Sequence, residues 1–200
     1  MVNIFSFLAL IISITFHEFC HALVADRLGD PTPRSRGRLT LNPIAHADPI
    51  GTIFLPLLSA FTGIATIGWA KPVPIDPFNF QHPKRDENLV AIAGPLGNIL
   101  LALFSSILFK LLGIQNILLY LLILINTSLA IFNLLPIPPL DGSRIFLNLL
   151  PDEKALQWQD AFNRYGFILL LVLVFLPVGG STIFQMVLSP IVNLVLTLLT

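Results

Sequence analysis

Hydrophobic residues gather along this chain into five long blocks, at about 4–25, 50–70, 89–112, 117–135 and 165–199. Polar stretches at 26–49, 71–88 and 136–164 separate most of them. A helix rises 1.5 Å per residue, so about 20 apolar residues span the ~30 Å hydrocarbon core of a bilayer. The pattern predicts an all-α integral membrane protein, a bundle of about 5–6 transmembrane helices. Two Pro-rich runs, Lys71-Pro72-Val73-Pro74 and Pro136-Ile137-Pro138-Pro139, cannot continue a helix and mark breaks. Pro177-Val178-Gly179-Gly180 reads as a turn, so the chain should end in a helical hairpin at about 162–200, following a core of about 1–150. The whole reads as a single membrane-embedded domain, 1–200.

Composition sharpens this picture. Hydrophobic residues make up 55% and charged residues 11%, against about 25% charged in a soluble domain. Lipid is therefore the expected main solvent. Eleven Lys and Arg balance eleven Asp and Glu, which leaves no basic face for nucleic acid. The single cysteine, Cys20, excludes an internal disulfide. A signal peptide carries its charge before the apolar run. Here the first basic residue, Arg27, follows it, so residues 4–25 read as a retained helix. Arg27, Arg34, Arg36 and Arg38 then place the C-terminal end of that helix in the cytosol.

The first block also carries chemistry. His17-Glu18-Phe19-Cys20-His21 is H-E-x-x-H, a pattern with a chance expectation of roughly one in a thousand at this composition. Spacing of i and i+4 stacks two imidazoles on one helix face, where they can share one Zn²⁺. Glu18 lies about 100° round the helix, within reach of a water whose pKa the metal lowers, and can act as general base. Glu18 is the one charged side chain within 4–25. An ionisable group at that depth is costly and marks a functional site; a helix-gluing ion pair is the bland alternative.

A catalytic zinc site usually has three protein ligands. Glu87 and Glu153 have no motif around them. Asp141 follows the break after the fourth apolar block and precedes Gly142, which permits close backbone approach. Local sequence leaves two roles open for Asp141, a third ligand or the N-cap of a helix over 142–150. His46 and Asp48 are rival ligands of lower weight. For Asp141 to meet His17 and His21, residues 50–70 must cross the membrane an even number of times, as a re-entrant or hairpin element lining a wet cavity. All the polar segments are then cytosolic, and they hold every basic residue except Lys110.

These residues resemble the site-2 protease family of intramembrane zinc metalloproteases, in its short prokaryotic form. His17 through His21 looks like its zinc-binding helix, Gly94-Pro95-Leu96-Gly97-Asn98 like its G-x-x-x-N helix start, and Asn133 through Gly142 like its N-P-D-G element. Gly68 through Pro74 resembles a further signature of the short members. The match runs to about residue 150. The resemblance implies one zinc per chain on His17, His21 and Asp141, with Glu18 as base. It implies that Asn133 and Asn98 hold the substrate strand or polarise its carbonyl. Its substrate would be a transmembrane helix of another protein, cut near the cytosolic face of a prokaryotic plasma membrane. Many family members carry a helix before the zinc-binding one, whereas sixteen residues precede His17 here. The bland role for the two asparagines is helix–helix hydrogen bonding, and for Gly94 and Gly97 close packing. Cys20 reads as a small packing residue. The rival function is a membrane metal transporter or a non-hydrolytic metal-binding scaffold, since intramembrane His and Glu also line ion paths.

Overall fold

The computed structural model describes residues 4–54, 70–112 and 116–200. Within them lie α1 (Ile4–Arg27), the single turns α2 (Thr32–Ser35) and α3 (Pro43–His46), α4 (Pro83–Leu112), α5 (Ile117–Asn133), α6 (Asp141–Leu149), α7 (Asp152–Phe175) and α8 (Ile183–Leu199). A π-helical turn at Pro49–Phe54 and a 3-10 turn at Pro77–Asn79 lie in the connections. Two-residue antiparallel strands, β1 (Pro177–Val178) and β2 (Ser181–Thr182), form the turn before α8. Most of the element expected at 50–70 lies outside the described residues, as do Gly68 and Trp69.

Three helices build the interior. On α1 the buried residues Ala9, Ser13, His17, His21 and Ala25 recur every fourth position, which makes one inward stripe. The facing stripe of α4 is mostly small: Ala91, Gly94, Asn98, Ala102 and Ser105 are buried. Small side chains let helix backbones approach closely, which is how helices associate where lipid supplies no hydrophobic drive between them. From α5 come Ile123, Asn126, Thr127 and Ala130. His21 bonds Val90, His17 bonds Asn98, and Ser13 bonds Asn98 and Asn126. Rising numbers on α1 therefore meet falling numbers on α4, so the two run antiparallel.

The outer surface is apolar. Leu100, Phe104, Ile107 and Leu111 of α4 all stand exposed. Helices α1 and α4 are long and apolar enough to cross a membrane, and α5 and α8 are apolar helices of 17 residues each. A mostly helical fold with such a surface is consistent with an all-α membrane protein.

The structure departs from the sequence pattern in α4, which starts at Pro83 and not within the apolar block. Proline suits the first helical turn, and the His82 N–H donates to the Asp86 carboxylate at 3.0 Å. Gly94 through Asn98, expected at a helix start, therefore sit in mid-helix. Likewise α7 begins at Asp152, in polar sequence. Its first half stays with the end of the bundle that carries α6: Lys84 pairs with Asp152, Phe146 stacks on Trp158 and Phe162, and Gly166 lies against Pro138. Helix α8 packs along α5, with Phe184 on Phe132 and Val192 and Leu196 on Ile123. Its last carbonyls accept from Ser106 and Lys110.

Asp30 fastens the end of α1 to the approach to α4. Its buried carboxylate accepts from the Thr32 and Asp76 amides at 3.0 and 2.8 Å and from the Asn79 side chain at 2.8 Å. Burial works against the charge, but the donors of Thr32, Asp76 and Asn79 outweigh it and hold the carboxyl below its ordinary value. Its contribution to stability is thus complete above about pH 4 and fades as pH falls toward the depressed folded value. Asp30→Ala should cost about 2 kcal/mol, a drop of about 4–8 °C in the thermal midpoint in detergent. The gap between parent and variant should narrow as thermal scans move from pH 7 toward pH 3.

Candidate metal centre

His17 and His21 lie on the inward stripe of α1, both buried, with ring centroids 4.6 Å apart and planes nearly perpendicular. The chain leaves α5, turns through Leu134–Leu140 and enters α6 at Asp141. Leu140 takes the N-cap position and no side chain caps the helix. The Asp141 carboxylate instead faces α1, with Oδ2 3.2 Å from His17 Nε2 and 3.3 Å from His21 Nε2. Of the two roles open from sequence, the cap is not realised. Gly142 makes the approach feasible: a Cβ there would sit 2.5 Å from the Leu135 carbonyl oxygen.

The partners of the other ring nitrogens fix both tautomers. His17 Nδ1 is 2.6 Å from Asn98 Oδ1, and His21 Nδ1 is 2.7 Å from the Val90 carbonyl. Both partners are acceptors, so each Nδ1 carries the proton and each Nε2 presents a lone pair. The two Nε2 atoms stand 3.0 Å apart, and Asp141 Oδ2 is buried with no donor to it among the described residues. Three lone pairs thus converge with no proton between them, an arrangement that repels unless a cation sits at its centre. Ligands about 2.0–2.1 Å from a tetrahedral zinc lie about 3.3 Å from one another, close to the separations seen. The donor set of two imidazoles and one carboxylate is also a zinc set. Among the described residues, His17, His21 and Asp141 are the group placed to hold a metal ion.

Glu18 points off this stripe. Its Oε2 accepts from the Val73 N–H at 3.1 Å. The segment carrying Val73 is clamped by buried Arg38, whose guanidinium donates to the carbonyls of Ala45, Lys71 and Pro72. Burial pulls the Arg38 pKa down from its ordinary value, and the charge of Glu18 offsets part of that. Motif reading did not find Arg38, since a lone arginine in a polar loop carries no pattern.

The remaining expected residues sort differently. Asn98 is fully buried and joins the histidine network. Asn133, half-buried at the end of α5, donates to its own helix at the Leu129 carbonyl, 3.1 Å away. His46 is buried on the Thr40 carbonyl, and Asp48 caps the π-helical turn through the Ile50 and Gly51 amides. Neither joins the cluster. Cys20 packs against Gly97. A Cβ on Gly94 would lie 2.6 Å from Cε1 of both His17 and His21, so the absence of a side chain there makes room for the rings. Asn126 and Ser13 complete the polar interior and were also missed. The signal for Ser13 was present, four residues before His17 on the same stripe.

The family model for peptidase family M50 matches residues 5–115 and 111–173. The chain is 39% identical over 191 residues to the candidate zinc metalloprotease YwhC of Bacillus subtilis, covering 90% of this chain and 84% of that one. It is 30% identical over 189 residues to the candidate zinc metalloprotease Rip2 of Mycolicibacterium smegmatis, covering 88% and 69%. To Rip2 of Mycobacterium tuberculosis (strain H37Rv) it is 32% identical over 183 residues, again 88% and 69%. No solved structure matches.

Proposed function

The chain belongs to peptidase family M50, and from that premise we propose that it is a zinc-dependent protease that cuts transmembrane helices of other proteins within or next to the bilayer. The observation that carries this reading is the convergence of His17 Nε2, His21 Nε2 and Asp141 Oδ2 with both Nδ1 protons already engaged. Zinc held by these three would polarise a scissile carbonyl and lower the pKa of water. Glu18, the sole carboxylate of the first six turns of α1, takes the proton from the attacking water and returns it to the leaving amine. The Val73 amide orients it without neutralising it.

A peptide bond in a helix is shielded, so the substrate must unwind before it is cut, which frees backbone groups that need partners at depth. Asn133 is half-buried at the end of α5, and in this reading it serves that need. Asn98 has no exposed surface, so we assign it to the metal site and not to the substrate.

The orientation follows from charge. Arg27, Arg38 and Lys84 lie at the end of the bundle that carries Asp141, and Lys110 lies at the other, beside the end of α8. The positive-inside rule then places the site toward the cytosolic face of the plasma membrane. The Lys71 N–H bonds to the His46 carbonyl at 3.0 Å, which supports an even number of crossings between them. In this reading residues 1–150 carry the chemistry, and the C-terminal helices complete one membrane-embedded domain.

The direct test is cleavage of a panel of single-span membrane substrates by purified protein in liposomes, with and without a zinc chelator. Cleavage lost on chelation and restored by zinc is the expected result; zinc flux without cleavage would favour a transporter. Asp141→Ala should lower zinc affinity by at least about 100-fold, judged against the 10–100-fold cost of losing an outer partner. Unchanged metal content in that variant would remove Asp141 from the ligand set.

A further inference from the structure

We propose that Asn126 of α5 is a positioning residue for His17, acting through Asn98 to keep the metal-facing nitrogen of His17 unprotonated. The proposal extends the zinc reading above, but one of its two readouts does not need zinc.

The argument rests on the direction of each hydrogen bond. Asn98 Oδ1 accepts from His17 Nδ1 at 2.6 Å. An asparagine amide turned over would offer a donor at the same place. His17 would then have to accept at Nδ1, and its proton would move to Nε2, where it would block the metal. What prevents the turn is the other half of the Asn98 amide. Its Nδ2 donates to the Ser13 carbonyl at 3.2 Å and to Asn126 Oδ1 at 2.7 Å. The shorter of these is the bond to Asn126.

Asn126 is locked in turn. Its Nδ2 donates to the Leu122 carbonyl and to Ser13 Oγ, each at 2.8 Å. The Ser13 hydroxyl spends its own proton on the Ala9 carbonyl at 2.7 Å, so its oxygen is left to accept. Every chain of donors ends on a backbone carbonyl of Ala9, Ser13 or Leu122, and a carbonyl can only accept. The pattern therefore has one direction, read from helix backbone to His17. Asn98, Asn126 and Ser13 are fully buried, so bulk solvent does not reach them. Buried asparagines between membrane helices also serve as plain glue. Glue would not require this polarity to terminate on a metal-facing imidazole.

The two roles separate in a double-mutant cycle. Asn126→Leu removes the shorter of the two bonds that hold the Asn98 amide and leaves the Ser13 carbonyl alone to oppose its turning. Asn98→Asp removes the choice of direction toward His17, because a carboxylate presents an acceptor in either rotamer; its second oxygen faces the Ser13 carbonyl in both members of the pair, so that cost cancels in the cycle. In the parent, Asn126→Leu should weaken zinc binding on the order of tenfold, the lower end of the cost of losing an outer-shell partner. In the Asn98→Asp background the same substitution should cost less than about threefold. Nitrogen-15 spectra of histidine-labelled, metal-free protein supply the second readout. His17 should be protonated at Nδ1 in the parent and a mixture of tautomers in Asn126→Leu. Asn126→Ala gives the same comparison if the leucine variant does not fold. Equal losses in both backgrounds would reduce Asn126 to glue, and an unchanged His17 tautomer in the variant would overturn the proposal. Failure of the parent to bind zinc would count against the protease reading alone, since the tautomer measurement stands without it.

Discussion

Glu18→Gln should lower cleavage by about 10²–10⁴-fold, the range that a general base contributes, while leaving zinc in place. The substitution keeps the side chain's size and an oxygen that can still accept from the Val73 amide. It removes the capacity to take up a proton, together with the negative charge that faces Arg38. The contacts that bring His17, His21 and Asp141 together do not involve Glu18, so the donor set keeps its geometry. Turnover of a panel substrate together with metal analysis of the same preparation checks both halves. Loss of zinc along with activity would mean that Glu18 helps to hold the site and is not simply its base.

Gly94→Ala should be nearly as damaging for a steric reason. The new Cβ would stand 2.6 Å from Cε1 of each imidazole, below the 3.0 Å that real Cβ atoms respect. The rings are bonded to Asn98 and Val90, four residues either side of Gly94 on the same helix, and cannot retreat from it without breaking those bonds. Either α1 and α4 part, or both histidines rotate. Overpacking of this kind costs about 1–3 kcal/mol, and a shift of about 1 Å in a catalytic group costs activity about 10²-fold. Zinc affinity and thermal midpoint should therefore both fall. Gly97→Ala is the control: its Cβ meets Cys20, not a ligand, so it should lower stability and spare zinc affinity. Intact zinc binding in Gly94→Ala would show that the helices can slide to accommodate a methyl group.

Much of the site was readable from the chain alone because a helix converts spacing into direction. His17 and His21, four apart, had to share a face, and Glu18 had to leave it. Asp141 was ambiguous for a physical reason: a carboxylate at the start of a helix suits a cap as well as a metal, and only the fold of Leu134–Leu140 decides between them. The resemblance gave Asn98 a substrate role, with helix–helix hydrogen bonding as the alternative, because sequence gives a polar residue in an apolar helix no orientation. Its phase with Ala91, Ala102 and Ser105 on the buried stripe of α4 was the clue that it faces α1. Asn126 and Arg38 were illegible, since each acts by bridging elements distant in sequence. The start of α4 was missed because apolar content marks where lipid lies, whereas the helix runs on into polar residues at Pro83.

The clasp at His46 and Lys71 bears on how freely the chain between them can vary in length. Arg38 ties both flanks, reaching Ala45 on one side and Lys71 and Pro72 on the other, and the Lys71 amide closes the gap. Chain leaving this clasp returns to the same point whatever its length. Doubling a loop closed in this way costs only about 0.6 kcal/mol. A change in the length of the chain between His46 and Lys71 should therefore cost little and leave its two ends where Arg38 holds them.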